Sequence, residues 1–209
     1  MNRKQVGILL FENIEVLDFC GPFEVFSVTR LNEEKRREEL SPFNVFLVAE
    51  TKEPVVATGG MKVLPDYELD GCPGIDVLVV PGGWGTRKEM NNERLLRWIA
   101  DRSRQIEILT SVCTGSLLLG KAGLLNGKRA TTHWRSLDWM QELFPKTIVE
   151  RQLHFVEEGA LFTSAGISAG IDMSLKVVAR YFGETIARAT AKHMEYPFPE
   201  SNQRRIVLV

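Results

Sequence analysis

The sequence predicts an α/β fold, a three-layer αβα sandwich with a flavodoxin-like, mostly parallel sheet that carries a nucleophile elbow. Two observations predict it. Short runs of continuously apolar residues are typical of strands covered on both faces, and segments with helical periodicity separate them. Glycine-rich or cysteine-containing corners follow several of these runs. The chain of 209 residues is expected to form one domain, residues 1–209.

The first half of the chain begins with an apolar run at residues 5–11, which predicts a buried strand. Gly21-Pro22 is typical of a helix start, and an amphipathic pattern follows it. Residues 43–50 predict a second strand, and Gly59-Gly60 between two β-type runs predicts a hairpin. Residues 75–80 predict a third, central strand.

The second half alternates in the same way. Helical periodicity around residues 95–99 precedes a fourth buried strand at 106–112, and a short apolar helix follows it. A further helix is expected to be capped near Thr132 and stopped by Pro145. Two strands are expected around residues 157–159, and then one or two helices broken at Gly183.

Composition excludes several classes of function. The formal net charge is −1 and the pI is about 6.3, so neither a nucleic acid nor a membrane surface is expected as a partner. The apolar run near the N-terminus is too short for a signal peptide, and no stretch approaches ~20 apolar residues, so neither an export signal nor a membrane span is expected. Cys20, Cys72 and Cys113 are odd in number and widely spaced, which favours reduced thiols and a cytoplasmic location. Their spacing, with three scattered histidines, predicts no metal site.

Cys113 lies at the corner between the fourth strand and the helix after it. A side chain at such a turn projects from the sheet edge, and the amides and dipole of the helix N-terminus favour a thiolate. A nucleophile with a lowered pKa is therefore expected, with Gly115 allowing tight packing. The alternative is a small buried apolar residue, because free cysteine is often buried.

Two further elements fall at strand ends and are expected at the same edge of the sheet. Gly82 and Gly83 allow close approach of the backbone to a ligand, and Trp84 is a candidate for the substrate pocket. The alternatives are a plain tight turn and, for Trp84, a surface or dimer contact. Asp18 lies in an apolar segment, where burial would raise its pKa and suit proton transfer. An ordinary N-cap of the Gly21-Pro22 helix is an equal alternative.

Together these segments resemble the ThiJ/PfpI superfamily, whose fold is similar to that of class I glutamine amidotransferases. The resemblance covers nearly the whole chain and rests on LDFCGPFEVF, DVLVVPGGWG, TSVCTGSLLLGKAGLLNGKRATTHW and TSAGISAGIDMSLKVVARYFG. It implies an elbow nucleophile at Cys113, an acidic partner at Asp18, and oxyanion amides at Gly83 and Thr114. It also implies a homodimer and no cofactor.

Two departures from the usual pattern of the superfamily narrow the choice among its subfamilies. Thr114 stands where peptidase-like members have histidine, and Asp18 stands where deglycase-like or glyoxalase-like members usually have glutamate. The combination is most similar to isonitrile hydratases and to the amidase-like domain of AraC-type regulators. It implies hydration of a small-molecule isonitrile to an N-substituted formamide, through a Cys113 thioimidate with Asp18 as general acid and base and Thr114 assisting.

Alternatives remain open at this stage. One is a redox or small-molecule sensor without turnover, and another is a glyoxalase-like or deglycase-like activity on 2-oxoaldehydes. The chain ends at Val209 without a basic recognition helix, so DNA binding is not expected. His133 is interpreted mainly as a structural residue, Cys20 as a packing residue, and His154 and His193 as structural or exposed.

Overall fold

A computed structural model describes residues 2–206 and contains one seven-stranded sheet with helices on both faces. The helices are α1 Val16–Val28, α2 Thr86–Glu89, α3 Glu93–Arg102, α4 Gly115–Lys121, α5 Leu137–Leu143, α6 Ala169–Phe182 and α7 Glu184–His193. The strands are β1 Lys4–Leu9, β2 Phe43–Ala49, β3 Val55–Val56, β4 Lys62–Val63, β5 Tyr67–Glu68, β6 Val77–Val80, β7 Ile108–Val112, β8 Arg129–Ala130, β9 Ile148–Val149, β10 Phe155–Glu158 and β11 Leu161–Ser164. None of the helices within residues 2–206 is long and apolar enough to cross a membrane.

The sheet has the strand order β10-β11-β7-β6-β1-β2-β5, and only the β10–β11 pair is antiparallel. Every residue of β6 and β7 is buried. Continuous burial explains why these runs lack the alternation of a one-sided strand, since both faces pack against helices. The predicted mostly parallel α/β sandwich is confirmed.

The helices form two packed groups. Helices α1, α6 and α7 pack against one another, and α4 packs against α2 and α3. The strand order reverses beside β1, so the carboxyl ends of β1, β6 and β7 lie side by side. In sheets of this kind, the crevice above such a reversal is where ligands bind.

The hairpin around Gly59-Gly60 is confirmed, because β3 and β4 pair antiparallel on either side of it. The break at Gly183 is confirmed as well: this glycine has a φ of 86° between α6 and α7. A φ of that sign is unfavourable for residues with a Cβ, so the helix ends there.

Two predicted boundaries are wrong. Helix α1 begins at Val16, so Pro22 lies inside it rather than at its start. The segment after Thr132 starts as a 3₁₀ turn, and α5 begins only at Leu137. The Thr132 hydroxyl does not cap that helix; it donates to the Cys113 carbonyl at 2.9 Å. At Thr132, a tertiary contact takes the hydroxyl that the local sequence assigns to a helix cap.

The start of α4 packs directly against β6. A Cβ added at Gly115 would overlap the carbonyl oxygen of Val80 and lie 2.7 Å from that of Pro81. Backbone atoms cannot move aside as a flexible side chain can. The expected role of Gly115 in tight packing is therefore confirmed.

We expect Gly115→Ala to lower the free energy of unfolding by about 2–3 kcal/mol, because the added methyl group forces the backbone of β6 away from α4. Urea denaturation followed by circular dichroism measures it. Gly74→Ala is the matched control, since a Cβ there meets no atom within 4 Å. That control should leave stability unchanged or raise it by up to about 1 kcal/mol. Equal midpoints for the two variants would contradict this packing argument.

Candidate active site

Cys113 occupies the turn between β7 and α4 with a φ of 55°, which is unusual for a residue other than glycine. Hydrogen bonds hold it in that conformation. Its amide donates to the Ala165 carbonyl at 3.2 Å, and its own carbonyl accepts from Thr132 and from the Ser116 hydroxyl at 3.2 Å. This is the strained strand–turn–helix geometry of a nucleophile elbow.

Asp18 lies in the first turn of α1 and is fully buried. Its Oδ2 accepts a hydrogen bond from the Gly82 amide at 2.9 Å, whereas Oδ1 has no hydrogen-bond partner among residues 2–206. The position before the helix belongs to Glu15, so the interpretation of Asp18 as an ordinary N-cap is wrong. The structure instead contains a buried carboxyl with one oxygen unsatisfied.

Burial raises the pKa of the Asp18 carboxyl well above its usual range. The Gly82 amide lowers that pKa in part, and the nearby charge of Glu15 raises it. The carboxyl therefore keeps its proton to a higher pH than an exposed aspartate would. A neutral carboxyl of this kind can donate a proton to a reacting group.

The thiol of Cys113 lies close enough to Asp18 for each group to shift the pKa of the other. Burial raises the pKa of the Cys113 thiol well above its ordinary value, and negative charge on Asp18 raises it further. The amide and hydroxyl of Thr114 lower the pKa without offsetting burial. The predicted lowered thiol pKa is wrong, because the side chain is only 6% exposed.

Two acidic groups this close, both in a dry environment, titrate as a pair. Ionising both would place two negative charges side by side, which the buried surroundings disfavour. The pair therefore keeps at least one proton, and each group holds its own proton to a higher pH than an exposed group would. The arrangement suits a nucleophile that gives up its proton only when a substrate accepts negative charge or the proton itself.

Thr114 connects the elbow to the glycine-rich loop after β6. Its Oγ1 accepts a hydrogen bond from the Gly83 amide at 3.1 Å and lies 3.1 Å from the Thr86 hydroxyl oxygen. Thr86 also lies 2.7 Å from the Gly83 carbonyl, to which its hydroxyl can donate. The Gly83 amide, which the family resemblance assigns to an oxyanion hole, is thus already bonded within the protein. Of the two expected donors, the Thr114 amide faces the sulfur.

The diglycine brings backbone atoms close to Asp18 and Thr114. A Cβ on Gly82 would lie 2.5 Å from the Thr114 nitrogen and 3.0 Å from Asp18 Oδ2. Gly83 has a φ of 129°, and a Cβ there would lie 2.5 Å from the Asn13 carbonyl oxygen. The glycines were expected to let the backbone approach a ligand. In the structure, Gly82 instead seats the carboxyl, and Gly83 alone of the two borders open space.

A cleft of about 450 Å³ opens over the thiol. Its volume is typical of small-molecule sites. It is lined by Glu15, Gly83, Trp84, Arg87, Cys113, Thr114, His133, Arg135, Ser136, Trp139 and Ile167. Trp84 is among these lining residues, and it is 66% exposed.

His133 both caps a turn and borders this cleft. Its Nδ1 accepts from the Arg135 amide at 3.3 Å, as a structural role requires. Its ring and the Cys113 thiol both lie against Gly166, so the imidazole is also close to the sulfur. Burial lowers the pKa of His133, and Arg135 and Arg204 lower it further, so the ring is neutral at pH 7. Cys20 is half-buried against the apolar core and does not line the cleft.

Sequence reasoning missed the charged lining of the cleft. Glu15 could have been found from its place three residues before Asp18, on the same helical turn. Arg87 and Arg135 carry no such signal, because they reach the cleft from separate segments that only the fold brings together.

A larger cavity, of about 540 Å³, lies elsewhere and includes His154, Asp172 and Arg205 but no cysteine. Asp172 is buried, lies 3.2 Å from His154 Nε2, and accepts hydrogen bonds from Tyr196 at 2.6 Å and from Arg205. This network ties residues near the end of the described chain to α6. The structural role expected for His154 fits it. The smaller cleft, which contains Cys113 at the strand–helix turn, is therefore the candidate active site.

The chain is similar to known proteins along most of its length. The model of the DJ-1/PfpI family matches residues 4–180. The isonitrile hydratase of Pseudomonas putida is 38% identical over 192 residues, which are 92% of this chain and 78% of that protein. The HTH-type transcriptional regulator GbdR of Pseudomonas aeruginosa is 29% identical over 195 residues, and this chain spans about half of its length.

Solved structures share the fold. A THiJ/PfpI family protein from Pseudomonas syringae superposes with a TM-score of 0.83 at 32% identity, covering 97% of this chain and 79% of that one. Drosophila melanogaster DJ-1beta superposes with a TM-score of 0.78 at 21% identity, covering 94% of this chain and all of that one. The second likeness is one of fold alone.

We expect Asp18→Asn to lower the apparent pKa of the Cys113 thiol, because it removes the negative charge that raises this pKa. The asparagine amide oxygen can still accept the Gly82 N–H. The pH dependence of alkylation by iodoacetamide, with Cys113 identified by mass spectrometry, measures the change. The inflection should move to lower pH, and an unchanged or higher inflection would disprove the coupling.

We expect Thr114→Val to raise the same thiol pKa and to lower the free energy of unfolding by about 1–2 kcal/mol, because the Gly83 amide loses its buried acceptor. Alkylation rates and urea denaturation measure the two effects. Thr114→Ser keeps the hydroxyl and should behave like the wild type. A serine variant as impaired as the valine variant would assign the effect to the methyl group instead.

Proposed function

Because the chain belongs to the DJ-1/PfpI family, we propose that it is an enzyme with Cys113 as nucleophile, and that it hydrates an organic isonitrile to an N-substituted formamide. One observation carries the proposal: a fully buried Asp18 carboxyl, whose pKa burial raises, lies beside a buried thiol at a nucleophile elbow. The similarity to isonitrile hydratase over 92% of the chain supports the choice of substrate.

The reaction R–N≡C + H₂O → R–NH–CHO needs a nucleophile and repeated proton transfers at one place. In the proposed first step, the pair carries one proton, which resides on Asp18 while the Cys113 sulfur bonds to the terminal carbon of the isonitrile. Asp18 then donates that proton to the same carbon. The product is a thioimidate, R–N=CH–S–Cys113, and Asp18 is left as a carboxylate.

Water completes the cycle with Asp18 acting in both directions. The carboxylate takes a proton from water as its oxygen bonds to the thioimidate carbon, and passes that proton to the nitrogen. It next removes the hydroxyl proton as the C–S bond breaks. The formamide leaves, and the thiolate and protonated Asp18 are restored, so protons and electrons balance.

Raised pKa values suit this cycle better than an exposed thiolate would. Each step moves one proton between Asp18 and a carbon, oxygen or nitrogen atom, and the pair never carries two charges at once. The Thr114 amide, which faces the sulfur, stabilises negative charge as it develops there or leaves it. Neutral His133 borders the same space and can accept or donate a hydrogen bond through its free ring edge.

Ligand sensing without turnover is the second candidate, because the GbdR regulator is similar over 93% of this chain. Sensing of peroxide is disfavoured, since redox-sensing thiols are accessible and have low pKa values, whereas Cys113 is buried and its pKa is raised. A small-molecule sensor would bind isonitriles or their relatives in the cleft without forming product.

We expect the wild-type protein to convert alkyl and aryl isonitriles into formamides, detected by liquid chromatography and mass spectrometry. Cys113→Ser should lose this activity, and Asp18→Asn should lower kcat/KM at least ~100-fold because it cannot transfer the proton. Cys20→Ser, which removes a thiol outside the cleft, should retain it. Lactate from methylglyoxal, with no formamide from any isonitrile, would replace the hydratase proposal by a glyoxalase-like one.

A further inference from the structure

We propose that the cleft selects substrates whose outer arm carries a carboxylate on a flat spacer, bound by Arg87 and Arg135 at the mouth. The inference names a substrate class for the proposed hydratase and rests on that proposal for the reacting group. It concerns the part of the substrate that does not react.

The size of the cleft requires such an arm. About 450 Å³ is roughly the volume of fifteen water molecules in the liquid, far more than an isonitrile group fills. Only the innermost part of the cleft borders the thiol. The remaining lining residues must therefore face the substituent on the isonitrile nitrogen, and their chemistry indicates what that substituent is.

The mouth of the cleft carries two free cations. Arg87 and Arg135 are exposed residues of its lining. Among the residues that the structure describes, neither guanidinium donates a hydrogen bond or lies within ion-pair distance of a carboxylate. By contrast, Arg129 and Arg151 form ion pairs of 2.7 Å with Glu150 and Asp138.

Tryptophan rings hold these cations in place. The Arg87 guanidinium lies 4.5 Å from the centre of the Trp84 ring and 5.4 Å from that of Trp139. Arg135 lies 4.8 Å from the Trp134 ring. Stacking leaves the edge of a guanidinium and its N–H groups available, and that edge matches the two oxygens of a carboxylate.

The inner end of the cleft has the opposite character. Glu15 lies there, close enough for its charge to raise the pKa of Asp18. An anionic arm would be repelled at this end and attracted at the mouth. A substrate with a carboxylate at one end and an isonitrile at the other is thus oriented with its terminal carbon towards Cys113.

Flat spacers fit the remaining surface. Trp84 and Trp139 line the same cleft, and Trp84 is 66% exposed. A large exposed aromatic surface beside a nucleophile favours a planar ligand that covers it. An aryl ring between the isonitrile and the carboxylate would bury part of Trp84 while it spans the cleft.

The test compares 4-isocyanobenzoate with 4-isocyanobenzamide, which has nearly the same shape and no charge. We expect the wild type to show a kcat/KM about tenfold higher for the benzoate, falling in 0.5 M NaCl because the pairing is exposed. Arg87→Gln and Arg135→Gln should each reduce this ratio about threefold, and the double variant should bring it close to 1. Lys88→Gln, the neighbouring cation that borders a different cavity, should leave both rates unchanged.

A binding experiment separates this inference from the proposed reaction. Calorimetry with the corresponding products, 4-formamidobenzoate and 4-formamidobenzamide, needs no turnover. Tighter binding of the benzoate that is lost in the double variant supports the inference even if no isonitrile reacts, in which case the proposed function alone fails. Turnover of both isonitriles at equal kcat/KM, with equal product affinities, overturns the inference and leaves the hydratase proposal standing.

Discussion

The hydrogen bond from the Gly82 amide to the buried Asp18 carboxyl is the contact on which the site depends. It joins the loop after β6 to the first turn of α1, across the point where the strand order reverses. Without it, a carboxyl with no exposed surface would have both oxygens unsatisfied, at a cost of several kcal/mol. With it, one oxygen is fixed and the other stays available beside the thiol.

Close backbone approach makes that contact possible, and the same approach positions Cys113. Gly82 lies so near Thr114 that no side chain fits between them, and Gly115 packs equally tightly on the end of β6. The loop after β6 and the elbow after β7 are therefore one rigid unit. The strained φ of Cys113 is maintained because hydrogen bonds to its carbonyl hold the backbone in that conformation.

Because it is buried, the pair of Cys113 and Asp18 differs from an accessible thiolate with a lowered pKa. Burial raises the pKa of the Asp18 carboxyl and that of the Cys113 thiol, so ionisation of either group is unfavourable. The proposed addition of sulfur and proton to one substrate atom suits such a pair better than simple nucleophilic displacement would. The cleft has Glu15 at its inner end and the cations Arg87 and Arg135 at its mouth. In the proposed reaction, this difference in charge orients a substrate that carries an anionic arm.

The sequence by itself determined the α/β class, the parallel strands, the hairpin at Gly59-Gly60 and the break at Gly183. It also determined that Cys113 follows a buried strand at a sharp corner. These features are local: apolar runs, glycine positions and helical periodicity act over a few residues, and burial on both faces leaves a plain signature in the strands. The family motifs are also local, because each of them lies within one short segment of the sequence.

Only the tertiary structure decided the ionisation of the site and the lining of the cleft. The helix N-terminus beside Cys113 predicted an acidic thiol, but enclosure by α1, the glycine loop and the Gly166 segment outweighed it. The true start of α1, which places Asp18 inside a helix, lies at a contact between distant segments, because the amide of the preceding Glu15 donates to the Gly82 carbonyl at 2.9 Å. Desolvation of the site depends on many residues that are distant in the chain, and Arg87 and Arg135 also come from separate segments. No short segment of sequence therefore encodes either feature.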